Sequence, residues 1–311
     1  MQIVGGTKKH ALSRGHLGCL GEVATLNVAR GCPGGCTFCY ARCLSGAPPP
    51  GSLLLYRDLP RQLESELDRR RTPPPSFVIL CTATDPFLGG DEVVQTTRGC
   101  LRVLVERNIG ISISTRGLIP DDVVELLARH ARHVRVTVPL VCLDEAYTRT
   151  WESGTASPRS RLFLVQRLLR AGVSAVEVRL EPLVPFVNDA TDGIREVVSA
   201  LVGLGLKSAV VSFMHLRPGV AEQVQREAPE LGPLVLGGFT PDEFQPPTGK
   251  FQHLPLQMRL AGLKRLQRIA REQGLRLSAC HCQNPGIPAR QCPVEPPELP
   301  RPVGEQLPLI E

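Results

Sequence analysis

The sequence predicts an α/β protein built on a parallel sheet, either open or closing into a barrel, and three observations carry that reading. Short β-branched runs alternate with amphipathic stretches, six of the first and five of the second within about 190 residues. The connections between them are short, as right-handed helical crossovers between parallel strands allow. Two helices open on sharp start signals, Ile119-Pro120-Asp121-Asp122 and Ser157-Pro158. Each sets proline and polar groups in a first turn whose amides have no partner within the helix.

Taken in order, residues 1–22 contain Gly and His, lack periodicity and read as an irregular arm. A first strand follows over 23–29, then a loop with three prolines at 48–50 and a helix over 59–71. After a second proline run come a strand at 77–81, a helix near 96–107, a strand at 111–114, a helix at 120–132 and a strand at 134–138. A helix at 158–171, a strand at 175–180, a helix near 192–203 and a strand at 208–213 complete the series. The composition then shifts to a Gly- and Pro-rich stretch up to 249, followed by a helix at 255–274, a short strand, a cysteine-bearing loop and a Pro-rich end. The expected division is an arm (1–22), a barrel region (23–220) and a C-terminal extension (221–311). No internal repeat is present.

The composition excludes several classes. With 42% apolar and 21% charged residues, the chain of 311 can bury a core, which argues against disorder. Eleven cysteines are too few for a disulfide scaffold of this length, and the odd count forbids complete internal pairing. The first residues lack the apolar stretch of a secretory signal, and no run approaches the roughly 18 to 20 apolar residues of a membrane span. A cytoplasmic protein without membrane contact is expected, in which thiols stay reduced and cysteine clusters favour metal or catalysis. The net charge is +6, and only Lys8, Lys9, Lys207, Lys250 and Lys264 are lysines. The arginines are scattered, so both phosphate recognition and codon bias remain open as their cause.

The chemistry concentrates where the strands end. Cys32 to Cys39, Thr82 to Asp85, Thr115-Arg116, Val138-Pro139, Glu181-Pro182 and Met214-His215 follow successive strands. That rim is where open sheets and barrels bind ligands. The strongest signal is Arg30-Gly31-Cys32-Pro33-Gly34-Gly35-Cys36-Thr37-Phe38-Cys39-Tyr40-Ala41-Arg42, with cysteines at C-x3-C-x2-C. Proline and glycines let the backbone wrap closely around an inorganic group. Three local thiolates on a four-iron cluster leave one iron open for a non-protein ligand. A structural zinc site completed by Cys43 or His16 is the competing reading.

This loop resembles the radical S-adenosylmethionine (SAM) motif C-x3-C-x-aromatic-C, with Cys32, Cys36 and Cys39 as ligands and Phe38 as the aromatic. The resemblance implies a partial (β/α)6 TIM-like barrel whose C-terminal extension closes the mouth. It also implies a [4Fe-4S] cluster with SAM on its open iron, reductive cleavage to a 5'-deoxyadenosyl radical, hydrogen abstraction from substrate, and an electron donor such as flavodoxin or ferredoxin. Leu80-Cys81-Thr82-Ala83-Thr84-Asp85-Pro86-Phe87, Ser114-Thr115-Arg116, Trp151-Glu152 through Pro158-Arg161, and Arg179 to Pro185 with Asn188-Asp189 narrow it. They resemble the spore photoproduct lyase-like group over roughly residues 23–216. That group implies SAM contacts from Phe38, Tyr40, Thr82, Thr84, Asp85, Thr115, Arg116 and Glu181. Arg116 stands where a lysine is common in the group and remains a cation suited to a carboxylate. Glu181 has a plainer reading as an ion pair with Arg179, since alternate strand residues share a face. Cys81 resembles the position of the lyase's hydrogen-donating cysteine, although a cysteine at a strand end also serves as a small buried hydrophobe.

A second group, Cys280-His281-Cys282 with Cys292, has spacing C-x-C-x9-C. A second [4Fe-4S] cluster and a zinc site are both open to it, with Cys19, Cys43 or Cys142 as a fourth ligand, while Cys100 reads as core. The expected function is that of a radical SAM enzyme, of lyase or oxidoreductase type, acting on a small molecule, peptide or nucleic acid. Lyase-like repair of a nucleic-acid lesion is an alternative, though three Tyr and one Trp offer little for base stacking. A zinc-stabilised nucleic-acid binding protein without catalysis is the other.

Overall fold

Strands whose residues are buried along their whole length, rather than alternately, mark a parallel sheet covered on both faces, and the core of this chain is built from them. The computed structural model describes residues 1–15, 23–70, 72–241, 251–289 and 295–298. The first elements are β1 (Gln2–Gly5), β2 (Ser13–Arg14), β3 (Ala24–Leu26), β4 (Ala29–Arg30), β5 (Ser52–Leu55), α1 (Leu59–Asp68), β6 (Phe77–Leu80) and α2 (Asp91–Glu106). Next come β7 (Gly110–Ser114), α3 (Asp121–Arg129), β8 (Val134–Pro139), α4 (Glu145–Trp151), α5 (Pro158–Arg170), β9 (Ala175–Leu183), α6 (Thr191–Gly203) and β10 (Ser208–Phe213). The remainder is β11 (His215–Leu216), α7 (Val220–Glu227), α8 (Gly232–Leu236), β12 (Thr240–Pro241), β13 (Gln252–His253), α9 (Leu256–Glu272) and β14 (Arg276–Ala279).

The main sheet runs β2-β3-β6-β7-β8-β9-β10-β14, so its spatial order follows the chain. All its pairs are parallel except β2 with β3. β2 and β14 are its two edges. This is the expected partial barrel, and the short strand read after the 255–274 helix joins it as β14, a seventh parallel strand. Helix starts follow the sequence signals. Ser157 accepts a hydrogen bond from Ser160 N at 3.2 Å ahead of Pro158, and Asp121 and Asp122 occupy the first turn of α3. α1 buries Leu59, Leu63 and Leu67, one helical stripe, against the core.

Three local expectations differ. The arm read as irregular carries β1, which pairs in parallel with β5, and β2, which extends the main sheet. Neither has a readable period, because a strand of four residues or fewer is too short to show one. The strand expected over 23–29 divides into β3 and β4, and β4 leaves the barrel to pair with β5. α4, α7 and α8 lie in stretches read as loop.

Away from the sheet edges, β9 departs most from full burial, and it lines the interior of the site. Val178 and Leu180 are buried on one face. Glu177, Arg179 and Glu181 alternate with them and line a cavity at the carboxyl ends of the strands.

Candidate active site

That cavity, of about 360 Å3, gathers side chains far apart in sequence. Its walls include Cys32, Cys36, Cys39, Tyr40, Cys81, Thr82, Thr84, Asp85, Thr115, Arg116, Glu181 and Cys282. A volume of this size suits a small-molecule ligand.

The three-cysteine loop is anchored from two sides. Gly31 and Gly35 have φ of +85° and +58°. A Cβ on Gly31 would meet Pro48 Cγ at 2.5 Å, and one on Gly35 would meet Ser153 Oγ at 2.7 Å. The segment after α4 closes one side: Thr37 N donates to Trp151 O at 3.0 Å and Gly154 N to Gly34 O at 3.0 Å. A Cβ on Gly154 would stand 2.0 Å from Pro33 O, so this contact requires glycine. Helix α7 closes the other side. The buried Gln223 amide nitrogen donates to Thr37 O at 2.8 Å, Cys39 O at 3.2 Å and Cys36 O at 3.4 Å. Arg42 forms a two-pronged pair with Glu227, both contacts at 2.7 Å, and donates to Cys36 O. Burial pushes the Cys32 thiol up to about 12 and Cys36 well above its ordinary value. Metal loading of these groups would therefore release protons.

The residues at the ends of β6 and β7 lock to one another. Asp85 accepts from Phe87 N at 2.9 Å and Thr115 Oγ1 at 2.7 Å through one oxygen, and from Arg116 N at 2.7 Å through the other. Its carboxylate is thus already used by the protein, as is the Thr115 hydroxyl, which also accepts from Gly117 N at 2.8 Å. Arg116 Nε donates to Glu152 at 3.1 Å, its second nitrogen to Glu181 O at 3.0 Å, and the guanidinium lies over the Phe38 ring, 5.3 Å from its centroid. Phe38 reaches the site through this stack. Glu152, 1% exposed, is shared with the equally buried Arg161 at 2.6 Å. Burial opposes the Arg116 cation, but Glu152, Cys36 and Glu181 hold its pKa above the ordinary arginine value.

Around this frame, Tyr40 donates its hydroxyl to Thr82 O at 2.6 Å, Thr82 Oγ1 accepts from Asn27, and Thr84 donates to Gly31 O at 2.5 Å. Glu181 pairs with Arg179 at 2.9 Å, the plainer of its two readings, and the Glu181-Pro182 bond is cis. Cys81 is buried at the end of β6 with φ of +58°, uncommon for a residue with a Cβ, and burial pushes its thiol up to about 12.

The far wall comes from the C-terminal region. His215, Arg217, Phe251, His253 and Cys282 line it. Burial, with Arg217 and His253 beside it, pulls His215 down to about 3, so it is neutral at physiological pH. Cys280 and Cys282 bring their sulfurs to 3.3 Å, and Cys282 faces the same cavity as the first three cysteines. Cys292, Cys19 and His16 lie outside the described residues. Cys43 touches Gln223 through its sulfur at 3.8 Å, while Cys100 is fully buried core.

Among the described residues, no three His, Cys, Asp or Glu side chains stand close enough to hold a single metal ion. The thiols of a four-iron cluster bind different irons and stand farther apart than ligands of one ion. Three thiols on one glycine-cradled loop, opening on a shared cavity, have the donor chemistry and the backbone freedom that such a cluster needs. The residues that sequence reading missed are Gln223, Glu227, Arg217 and the buried Glu152–Arg161 pair as a support for Arg116.

Comparison with known proteins agrees with this geometry. Residues 26–192, more than half the chain, match the radical SAM superfamily. The chain is 27% identical over 202 residues to uncharacterized proteins of Mycobacterium bovis and Mycobacterium tuberculosis, covering 62% of this chain and 59% of theirs. It is 23% identical over 265 residues to a radical SAM Nα-GlyT isomerase of Pseudomonas phage M6, covering 83% of this chain and 53% of that one. The chain thus spans little more than half the length of these relatives. Its fold resembles that of a spore photoproduct lyase variant, with a TM-score of 0.66 at 13% identity over 88% of this chain and 81% of that one. A second lyase variant, with bound AdoMet and dinucleoside spore photoproduct, gives 0.64 at 15% identity with the same coverage. No described helix is long and apolar enough to cross a membrane. Family membership implies an enzyme that uses a [4Fe-4S] cluster, SAM and a reductant, which leaves the non-catalytic zinc reading without support: the chain belongs to the radical SAM superfamily.

Proposed function

We propose that the protein is a radical SAM enzyme in which Cys32, Cys36 and Cys39 hold the cluster and the cavity beside them holds SAM and substrate. The observation that carries this reading is the opening of all three thiols onto one cavity with Thr82, Thr84, Arg116 and Glu181. When bound, the cluster and SAM supply a 5'-deoxyadenosyl radical that abstracts hydrogen from the substrate.

The chain's own residues position and enclose. Gln223 and the Arg42–Glu227 pair hold the loop carbonyls, fixing the direction of the thiols. Asp85 and Thr115 keep the ends of β6 and β7 in register, so that Thr82, Thr84 and Arg116 present a rigid wall. Water is kept out from below by Leu80 and Ile113. Cys81 keeps its proton across the neutral range and is proposed as a hydrogen donor to a substrate radical. A second metal site of Cys280, Cys282 and Cys292 is proposed beside the same cavity, and a flavodoxin- or ferredoxin-like protein as reductant.

Anaerobic reconstitution with iron and sulfide, followed by dithionite and SAM, is expected to release 5'-deoxyadenosine, and no release from cluster-replete protein would refute the reading. Iron counts before and after replacing Cys280 and Cys282 test the second site. A nucleic-acid substrate is the second reading. The bound dinucleoside of the lyase variant favours it, and salt-sensitive oligonucleotide binding would test it.

A further inference from the structure

The wall that follows β10 lies outside the residues matched to the superfamily, and it carries a cation that no carboxylate pairs with among the described residues. Arg217 lies over the Tyr40 ring, 4.0 Å from its centroid, and over the Phe251 ring, 4.9 Å away. Its Nε is buried and has no hydrogen-bond partner, and no carboxylate pairs with it, among the described residues. The other arginines on this cavity are occupied: Arg116 by Glu152 and the Glu181 carbonyl, Arg179 by Glu181. An arginine stays charged when buried, so a guanidinium without a counter-ion keeps an unmet demand for an anion. The two rings fix the plane of the fork, which is the geometry that receives an oxyanion through paired N–H groups. Neutral His215 beside it supplies no competing charge.

We propose that Arg217 is the anion subsite for the substrate, taking a phosphate or carboxylate oxygen pair of the molecule on which the radical acts. The inference rests on reading the cavity as a radical SAM site. Titration with SAM decides whether Arg217 serves the substrate or the cofactor. Tyr40 joins the two regions, since it follows Cys39 in the cluster loop and also stacks on Arg217.

The test is calorimetric titration of the reconstituted holoenzyme, with and without SAM, using inorganic phosphate and acetate as separate probes on wild type, R217Q and R217K. The expected result is that one probe binds wild type, that R217Q weakens it at least 10-fold, and that R217K also weakens it but by less than R217Q, because lysine keeps the charge and loses the planar fork. Phosphate binding alone identifies a phosphorylated substrate, and acetate binding alone a carboxylate. SAM affinity is expected to change less than 3-fold in both variants. The subsite is overturned if neither probe binds, if R217Q binds the probe as wild type does, or if R217Q loses SAM affinity in parallel. Wild-type protein that binds no SAM would refute the radical SAM reading, while the probe titrations without SAM would still judge the subsite.

Discussion

The two walls of the cavity handle their polar groups in opposite ways. On the wall built from the matched domain, nearly every charged or hydroxyl side chain is already satisfied. Asp85 is held by three donors, Arg116 lies between Glu152 and the Glu181 carbonyl, and Glu181 is paired with Arg179. On the C-terminal wall, Arg217 is half-buried without a counter-ion among the described residues, and His215 is held neutral. A satisfied wall is pre-organised and cannot adapt, which suits a cofactor that is the same in every turnover. An open cation on the other wall suits recognition of a particular substrate. The difference teaches that Asp85, Thr115 and Arg116, which the sequence marks as cofactor contacts, also hold the frame of their wall.

The largest effect is expected from the cysteine loop. Cys32→Ala, Cys36→Ala or Cys39→Ala should each remove the brown thiolate-to-iron absorption of the reconstituted first site and lower 5'-deoxyadenosine release by more than about 100-fold. Next, Glu152→Gln leaves the buried Arg161 without its counter-charge, and about 3–5 kcal/mol of stability should be lost in urea unfolding of the metal-free protein. Arg217→Gln on the opposite wall should change stability by less than about 1 kcal/mol, because relief of burial offsets the lost ring contacts. Equal losses at the two positions would break the contrast between the walls. Gln223→Leu should cost about 1–3 kcal/mol by stranding buried carbonyls of the cluster loop, and iron should pass faster to a chelator. The smallest effect is on pH dependence. The Cys32 and Cys81 thiols, raised from 9.0 to about 12, contribute stability that is complete below about 9 and lost as pH rises towards 12. His215, lowered from 6.5 to about 3, contributes stability that is present above about 6.5 and lost as pH falls towards 3. Urea midpoints of the metal-free protein should therefore plateau between about 6.5 and 9.

Much of this frame is legible in the residues themselves, for identifiable reasons. The β10 strand matches its sequence reading at 208–213 because a parallel core strand is a continuous apolar run. The cysteine loop is legible because its three cysteines fall within eight residues and its glycines report the backbone they require. Gln223 and Glu227 are not legible, since they meet the loop across more than 180 positions of chain and carry no motif of their own. Arg217 is hidden for a related reason. One arginine among many is singled out only when the fold shows which of them lack a carboxylate. Glu181 shows the reverse case: the i, i+2 spacing with Arg179 already contained the pair that the structure forms.

The most direct test of the cavity's assignment is electron paramagnetic resonance of the dithionite-reduced holoenzyme before and after SAM is added, with Cys280→Ala/Cys282→Ala protein used to isolate the first site. If Cys32, Cys36 and Cys39 leave one iron open to the cofactor, the cluster signal should shift on adding SAM. A reduced cluster whose signal is unchanged at saturating SAM would contradict it.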